Sequence, residues 1–458
     1  MDTQTMAVRE DVAALLKSGD KQQLRMLLNE QHAADLSEWL TDMDQAERMS
    51  CFRLLDLDNA SAVLAELEPE NQRELLKELG DLGIVPIISR MSPDDAVDLL
   101  AELPEDKARS IISQMTDPEA VEDIQELMAF KEDSAGGIMS TDYLAVNVAM
   151  TAGQALSHLR QSYEDFDEDI YDVYVLTADE HLVGRVTLKE LLTAAPEAEV
   201  DSVMDTDVIK VTTDTDQEQA AEKLKRYDLL SLPVTDPDGR MRGIITADDA
   251  IDVMEEEATE DIYQSSGIDV TGPEETEEIS YNVPLSFRAR LPWLVVTLLI
   301  ETISASVITR FDDVIRETIA AASFMPLLSG VTGSVATQST CIMIRGTATG
   351  HINWRAARRN LKHEFKVGLL LGIACGVAIW LVSSLLHLDN RHLGTVVGVS
   401  LFITMMVGVM IGTLTPMIFH RLGIDPAHAS GPLITSVLDV STVTIYLSIV
   451  HTVLSQLV

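Results

Sequence analysis

The pattern of apolar positions divides this chain of 458 residues near residue 285. Beyond that point the chain contains five apolar runs, each close to the roughly 20 residues that a membrane-spanning helix requires. The runs cover residues 291–307, 319–344, 367–386, 396–419 and 432–457. Before that point apolar residues occur in short periodic groups separated by acidic residues. The pattern predicts a multidomain chain that ends in a five-helix α transmembrane domain, residues 288–458.

Residues 45–116 repeat a short helical unit. Pro69, Pro93, Pro104 and Pro118 are each followed by an acidic residue. Proline fits the first helical position, and acids in the first turn suit the positive end of the helix dipole. Leucine pairs at 54–55, 75–76 and 99–100 supply a buried stripe. This region predicts an all-α superhelical N domain, residues 1–133.

The next region contains two copies of a short α/β unit, predicted over residues 134–199 and 200–264. Matching lead-ins, Gly137-Ile138-Met139-Ser140 and Ser202-Val203-Met204-Asp205, precede the two copies. The alternation predicts strands at 143–148, 173–176, 208–211, 231–235 and 243–246, and helices at 152–161, 188–195, 217–227 and 247–254. This duplication is the pattern of tandem CBS domains, which usually signal regulation rather than catalysis.

Charge separates the same two halves of the chain. The first half carries 66 acidic and 21 basic residues, and the second carries 8 and 12, so the net charges are −45 and +4. The acidic half has no basic face to neutralise phosphates, which excludes nucleic acid as an expected partner. The sequence contains no Walker loop, nucleophile elbow or paired-histidine motif, so we expect no enzymatic activity. Cations are the expected ligands.

Basic residues predict the orientation in the membrane. With the N-terminus in the cytoplasm, nine basic residues flank the spans inside and three flank them outside, and the C-terminus lies outside. The basic cluster in 354–366 is interpreted as an anchor on anionic lipid.

Two acidic residues lie well inside the predicted spans. Asp439, in the fifth, has hydroxyl residues nearby in sequence and could hold a hydrated divalent ion. The alternative is a carboxylate that hydrogen-bonds to a neighbouring helix. Glu301, in the first span, is open to a pore role or a structural one.

The acidic half also contains dense carboxylate groups near residues 94–98 and 248–261. Such a run is usually a solvated face. Here it crowds a junction between domains, where bridging cations would reduce the repulsion between acidic surfaces. The candidate regulatory metal ligands are Asp94, Asp95, Asp98, Asp248, Asp249, Asp252, Glu256, Glu257, Glu260 and Asp261.

These residues together resemble the MgtE family of magnesium transporters from about residue 30 onward. The resemblance rests on the helical N domain and on the CBS pair with its lead-in at 134–139. It also rests on the segments 257–262, 290–293 and 429–432, with Asp439 downstream. It implies a homodimer in the bacterial inner membrane, with a pore between the subunits and a plug helix at 272–286 inside a linker over 265–287.

The resemblance further implies that cytosolic magnesium, bound between acidic domains, shuts the pore. It makes Asp439 the ion-selecting carboxylate. The candidate residues of the pore site are Asp439, Ser334, Thr337, Gln338 and Thr435. The second span departs from the family pattern, since Ser334 and Thr337 replace asparagines there. The site therefore presents hydroxyls in place of amides. This change leaves open whether the site selects magnesium over manganese and cobalt.

A second departure lies in the first CBS copy. ATP-binding members carry an Arg-Asp pair where this chain has Lys189 and Glu190. Lys189 and Glu190 are therefore the candidate contacts for ATP as a modulator. Two other functional hypotheses stay open at this point: a coupled divalent-cation efflux transporter, and a membrane-tethered sensor that conducts nothing.

Overall fold

The structure is a computed structural model, and it describes residues 3–67, 69–162, 172–270, 276, 279–317, 319–348, 354–386, 391–429 and 431–457. The chain forms two compact units, an N-terminal unit (Met1–Glu255) and a C-terminal unit (Glu256–Val458).

In its described residues, the N-terminal unit begins with ten short α-helices around an apolar core that includes Trp39, Leu64 and Ile84. The helices are α1 Thr3–Ser18, α2 Lys21–Leu28, α3 Ala33–Thr41, α4 Gln45–Phe52, α5 Leu57–Ala65, α6 Pro69–Leu79, α7 Asp81–Ile88, α8 Pro93–Ala101, α9 Glu105–Ile112 and α10 Pro118–Leu127. The predicted helix starts at Pro69, Pro93 and Pro118 are confirmed. Pro104 is the capping residue before α9 rather than its first residue.

Two three-stranded sheets follow, each with one parallel and one antiparallel pairing. The first contains β1 Ala145–Asn147, β2 Asp172–Leu176 and β3 Leu182–Thr187, with α11 Ala152–Ser162 and α12 Leu188–Thr193. The second contains β4 Val211–Thr212, β5 Ser231–Thr235 and β6 Met241–Thr246, with α13 Gln217–Arg226 and α14 Ala247–Ser265. The strand predicted at 208–211 was misplaced, since pairing with β5 joins only Val211 and Thr212.

Among the described residues of the C-terminal unit, five helices are long and apolar enough to cross a membrane, as predicted. The first to fifth spanning helices are Val283–Arg310, Met325–Ala348, Trp354–Leu386, Arg391–Leu422 and Gly431–Leu457. The second is preceded by short helices at Asp312–Glu317 and Ile319–Ala322, so the predicted span over 319–344 is divided. Pro326 lies in the first turn of the new helix, where its missing N–H costs no hydrogen bond.

Residues 272–275, 277 and 278 of the predicted plug helix at 272–286 lie outside the described residues, Thr276 is helical, and residues 283–286 form the first turn of the first spanning helix. Its described part at 279–282 has no regular helix, and the first spanning helix starts at Val283. The helix α14 is longer than the predicted 247–254, because it runs on to Ser265.

Small residues allow the spanning helices to approach closely. The third and fourth meet where Gly376 faces Gly398, since an added Cβ at Gly398 would lie 2.7 Å from the Gly376 carbonyl oxygen. The second and fourth meet at Gly412, where an added Cβ would lie 2.4 Å from the Ala336 oxygen. A hydrogen bond of 3.0 Å between the Thr332 and Thr404 hydroxyls joins the same two helices.

Candidate pore site and acidic clusters

A cavity of about 480 Å³ opens beside the second and fifth spanning helices. Its lining contains one carboxylate, four hydroxyl side chains and two glycines. The lining residues are Ser329, Gly330, Gly333, Ser334, Thr337, Thr435 and Asp439. We call this space the hydroxyl cavity.

The hydroxyl hydrogens of three lining residues are used within their own helices. Ser334 donates to the Gly330 carbonyl at 2.8 Å, and Thr337 donates to the Gly333 carbonyl at 3.0 Å. Thr435 donates to the Gly431 carbonyl at 2.9 Å. Because each hydroxyl has one hydrogen and two lone pairs, these oxygens face other ligands as acceptors. An acceptor-rich cavity with one carboxylate suits a cation or the water molecules around it.

The structure brings four of the five predicted pore residues together in the hydroxyl cavity. Gln338 is not among the residues that line it, and it lies one turn beyond Ser334 on the exposed side of the helix. Gly330, Ser334 and Gln338 thus form an exposed row at intervals of four residues.

The cavity wall depends on a close approach between the second and fifth spanning helices. An added Cβ at Gly333 would lie 3.2 Å from the Thr435 methyl carbon. An added Cβ at Gly431 would lie 3.8 Å from the Thr337 methyl carbon. Glycine at 333 therefore lets the Thr435 hydroxyl and Asp439 stand next to the second helix.

Two further acids lie within the spanning helices. The Glu301 side chain of the first helix contacts the Asp439 carboxyl group within hydrogen-bonding reach. Glu364 of the third helix is buried and accepts a hydrogen bond of 2.9 Å from the Ser339 hydroxyl. Glu364 lies before the predicted span over 367–386, on turns that the third helix gains because it starts at Trp354.

The N-terminal unit contains a carboxylate cluster that joins the helical domain to the second CBS copy. Asp94 and Asp95 lie in the first turn of α8, and Asp249 lies in the first turn of α14. The charges of Asp94 and Asp248 act on Asp249, and the charge of Asp94 acts on Asp142. Sequence reasoning missed Asp142, which stands alone in its segment and becomes part of the cluster only through folding.

Crowding in this cluster changes its acidity. Desolvation and the Asp94 charge raise the pKa of Asp249 to about 7, although Thr246 donates to its carboxyl group. The same two causes raise the pKa values of Asp95 and Asp142 to about 6. Desolvation also raises the pKa of Asp94, whose Oδ1 is buried without a hydrogen-bond partner. A bound cation would relieve these strained carboxylates.

The orphaned Asp94 oxygen fits the chemistry of a magnesium site. In the described part of the chain, no three Asp, Glu, His or Cys side chains are grouped closely enough to enclose a metal ion. Magnesium usually keeps several waters and takes one or two carboxylates, so a pair of these aspartates suffices. Asp98, Asp248 and Asp252 are exposed around the cluster.

The other four predicted regulatory acids lie in the C-terminal unit, on the last turns of α14: Glu256, Glu257, Glu260 and Asp261. Desolvation and the charge of Asp425 raise the pKa of Asp261 to about 6, and Arg345 opposes the shift. An added Cβ at Gly431, the first residue of the fifth spanning helix, would lie 3.6 Å from the backbone oxygen of Ser265, the last residue of α14. The end of this acidic helix is therefore in contact with the helix that carries Asp439.

The candidate nucleotide residues lie at the start of α12. Glu190 and Thr187 form a capping box, in which Glu190 accepts from the Thr187 backbone at 2.8 Å. These hydrogen bonds lower the pKa of Glu190. Thr246 and Asp249 occupy the equivalent positions of the second copy and make the same contact. Lys189 is exposed.

Comparison with protein-family models matches three parts of the chain. Residues 325–449 match the MgtE divalent cation transporter model. Residues 31–133 match the MgtE intracellular N domain, and residues 135–197 and 200–256 match the CBS domain.

Whole-length relatives include the magnesium transporter MgtE of Bacillus subtilis, 34% identical over 96% of this chain and 95% of that protein. The magnesium transporter MgtE of Thermus thermophilus is 36% identical over 96% of this chain and 97% of that protein. A crystal structure of the cytosolic domain of the Mg²⁺ channel MgtE in complex with ATP is also similar. It has a TM-score of 0.51 and 35% identity, and the match covers 54% of this chain and 99% of that one. This chain is a multi-pass membrane protein that belongs to the MgtE family of magnesium transporters.

Proposed function

We propose that this protein is a magnesium-permeable channel of the bacterial inner membrane that cytosolic magnesium closes. The observation that carries the proposal is the hydroxyl cavity, which places the Asp439 carboxylate among oxygen acceptors inside the membrane domain. An intramembrane carboxylate is costly and is usually kept for an ion pathway. The relatives named as magnesium transporters support magnesium as the cargo.

The hydroxyl cavity suits an ion that keeps much of its water. Magnesium releases its waters reluctantly, and those waters donate hydrogen bonds. The oxygens of Ser334, Thr337 and Thr435 accept such bonds, because their own hydrogens are used within the helices. Asp439 supplies the charge that attracts the ion. Serine and threonine in place of asparagines keep the acceptors and remove amide donors.

A homodimer would complete the pathway. The exposed row of Gly330, Ser334 and Gln338 is small and polar, a poor surface to present to lipid. A second copy that covers this row would enclose the cavity between two subunits, while the exposed apolar residues of the first and third helices face lipid. The predicted orientation, with the acidic domains in the cytoplasm and the C-terminus outside, belongs to the same proposal.

The acidic clusters are the proposed sensor. At low magnesium the carboxylates around Asp94 and Asp249 repel one another, and at high magnesium a hydrated ion bridges them. The acids at the end of α14 would bring the same signal to Pro432 and the fifth spanning helix. The related cytosolic domain was crystallised with ATP, and we propose ATP as a modulator near Lys189 and Glu190.

Ion flux into vesicles that contain the purified full chain tests the function. Magnesium, manganese and cobalt are supplied outside in turn, while internal magnesium is varied. We expect magnesium entry that internal magnesium suppresses, and no entry with Asp439→Ala protein that still assembles as a dimer. Normal entry with Asp439→Ala protein would disprove the pore site.

Electrical recording separates the channel from a coupled efflux transporter. A channel passes current down either ion gradient without a second ion, whereas a coupled transporter needs one. Protein that moves no ion under any condition would instead favour a membrane-tethered sensor.

A further inference from the structure

We propose that Ser329 is a further residue of the pore site, and that its hydroxyl group contacts the water shell of the ion that Asp439 attracts. This inference rests on the proposed function of Asp439. Two observations carry it: the register between the second and fifth spanning helices, and a hydroxyl hydrogen that Ser329 does not use within its own helix.

Two contacts fix the register between the second and fifth spanning helices. An added Cβ at Gly333 would lie 3.2 Å from the Thr435 methyl carbon. An added Cβ at Gly431 would lie 3.8 Å from the Thr337 methyl carbon. A step of four residues forward on the fifth helix thus corresponds to a step of four residues back on the second, so the two helices are antiparallel. Because four residues make about one helical turn, this pairing continues along the same two faces.

The next pairing along these faces joins Ser329 and Asp439. Asp439 lies one turn beyond Thr435, and Ser329 lies one turn before Gly333. Both Ser329 and Asp439 line the hydroxyl cavity, as this register requires. The two residues are far apart in sequence, but they stand at the same level of the cavity on opposite helices.

The space between these two side chains has room for an ion with its waters. Within the described residues, Ser329 and Asp439 make no hydrogen bond with each other. An octahedral shell of six waters occupies roughly 180 Å³, at about 30 Å³ for each water. The cavity of about 480 Å³ is large enough for such an ion. An ion at this level would have a carboxylate on one side and the Ser329 hydroxyl on the other.

The Ser329 hydroxyl differs from the other hydroxyls of the cavity in its hydrogen. Ser334, Thr337 and Thr435 each donate to a carbonyl group of their own helix. The Ser329 hydroxyl has no hydrogen-bond partner in the part of the chain that the structure describes. A hydroxyl has one hydrogen and two lone pairs. Ser329 therefore accepts a hydrogen bond from a water of the ion and donates its own hydrogen to a second water, and no proton is transferred.

The test measures magnesium entry into vesicles for three substitutions of Ser329 in the full chain. Ser329→Ala removes the oxygen acceptor, Ser329→Cys puts a weak acceptor in its place, and Ser329→Thr keeps a hydroxyl group but adds a methyl group. We expect alanine and cysteine to raise the half-saturating magnesium concentration about three- to tenfold, with a maximal rate within about twofold of the original chain. We expect threonine to leave both values within about twofold of the original chain.

Ser441→Ala is the matched control, because Ser441 lies on the fifth helix but is not among the residues that line the cavity. Dimer assembly is checked for every variant by size-exclusion chromatography. An unchanged half-saturating concentration in Ser329→Ala protein would overturn the inference. A residue that only packed the two helices would tolerate cysteine and be damaged by threonine, so that pattern would overturn it as well.

Asp439→Ala protein in the same assay tests the proposed function separately. Normal entry with Asp439→Ala protein would disprove the pore site as a whole. Loss of entry with Asp439→Ala protein, together with normal entry by Ser329→Ala protein, would disprove the role of Ser329 alone.

Discussion

At the scale of single residues, the chemistry of the pore site depends on the hydroxyl hydrogens of three lining residues, because these hydrogens are already donated within the helices. Ser334, Thr337 and Thr435 each donate to a carbonyl one turn earlier in their helix. Such back-bonding costs the helix little, and it turns three neutral hydroxyls into a fixed set of acceptors. With Asp439 beside them, they form a surface for a cation with its waters rather than for an anion.

Ser334→Ala removes one of these acceptors. We expect a three- to tenfold higher half-saturating magnesium concentration, since a hydrogen bond contributes about 1 kcal/mol. Ser441→Ala is the control, because Ser441 makes the same type of bond in the fifth helix but is not among the residues that line the cavity. Titration of magnesium entry into vesicles gives both values. Equal effects of the two substitutions would contradict an acceptor role for Ser334.

The carboxylate cluster predicts a pH dependence. The pKa values of Asp95, Asp142 and Asp249 are raised to about 6 or about 7, whereas an unfolded aspartate titrates near about 4. Between these values the folded chain binds more protons than the unfolded chain, so its stability falls as pH rises from about 4 to about 8. We expect magnesium to restore most of the lost stability near pH 8. The unfolding temperature of the full chain, followed by near-UV circular dichroism with and without magnesium, measures this stability.

Asp94→Asn should imitate the bound cation in part, since it removes one buried charge. We expect a higher unfolding temperature than the original chain at pH 8 without magnesium, and a difference that shrinks at pH 5. The exposed Asp106, on α9, offers a matched control as Asp106→Asn. A lower unfolding temperature for Asp94→Asn at pH 8 would show that the charge of Asp94 is satisfied without a cation.

At the scale of elements, close helix contacts set the shape of the pore domain. The second spanning helix carries the cavity residues on one side, and on another side its Ala336 oxygen faces Gly412 of the fourth helix. The Thr340 hydroxyl adds a hydrogen bond of 3.1 Å to the Gly412 carbonyl. The fourth helix thus fixes the rotation of the second and, with it, the direction in which Ser334 and Thr337 point.

Gly412→Ala tests this support. The new methyl group would stand 2.4 Å from the Ala336 oxygen, so the two helices must separate. We expect a loss of about 1–3 kcal/mol in stability, as in other overpacked sites. Gly330→Ala is the control for stability, because an added Cβ there meets nothing within 4 Å. Thermal inactivation in detergent, read by size-exclusion chromatography, compares them. Equal stability of the two variants would mean that the fourth helix does not constrain the second.

At the scale of the whole molecule, the two units share one long acidic helix. The helix α14 starts in the second CBS copy with Asp248 and Asp249 and ends beside Pro432 of the pore domain. Its carboxylates include Asp248 and Asp249 in the first turn and Glu260 and Asp261 near the end. Charge repulsion at the end of this helix can act on the start of the fifth spanning helix through the non-bonded contacts of Ser265 with Gly431 and of Gly267 with Pro432.

Reversal of charge at Asp248, Asp249 and Glu257 to lysine should weaken the closing effect of magnesium. We expect the linker at 265–287 to need more magnesium for protection against protease than it needs in the original chain. Glu222→Lys, an exposed acid on α13, controls for net charge. Digestion over a series of magnesium concentrations gives the midpoint of protection. A midpoint that does not move would confine these acids to a solvated face.

The sequence by itself determined the order of the domains, the five spanning helices and the acids worth testing. These features are local properties of the sequence: the length of the apolar runs, the helix starts at a proline followed by an acid, and the spacing of the duplicated α/β unit. The folded structure keeps each of them. Tertiary structure decided which residues meet. Asp142 joins Asp94, Glu301 joins Asp439, and Gln338 lies outside the cavity that its neighbours line. The members of the first two pairs are far apart in sequence, and Gln338 differs from Ser334 only in the direction in which it leaves the same helix. The packing of the helices decides both, and no local sequence pattern contains that information.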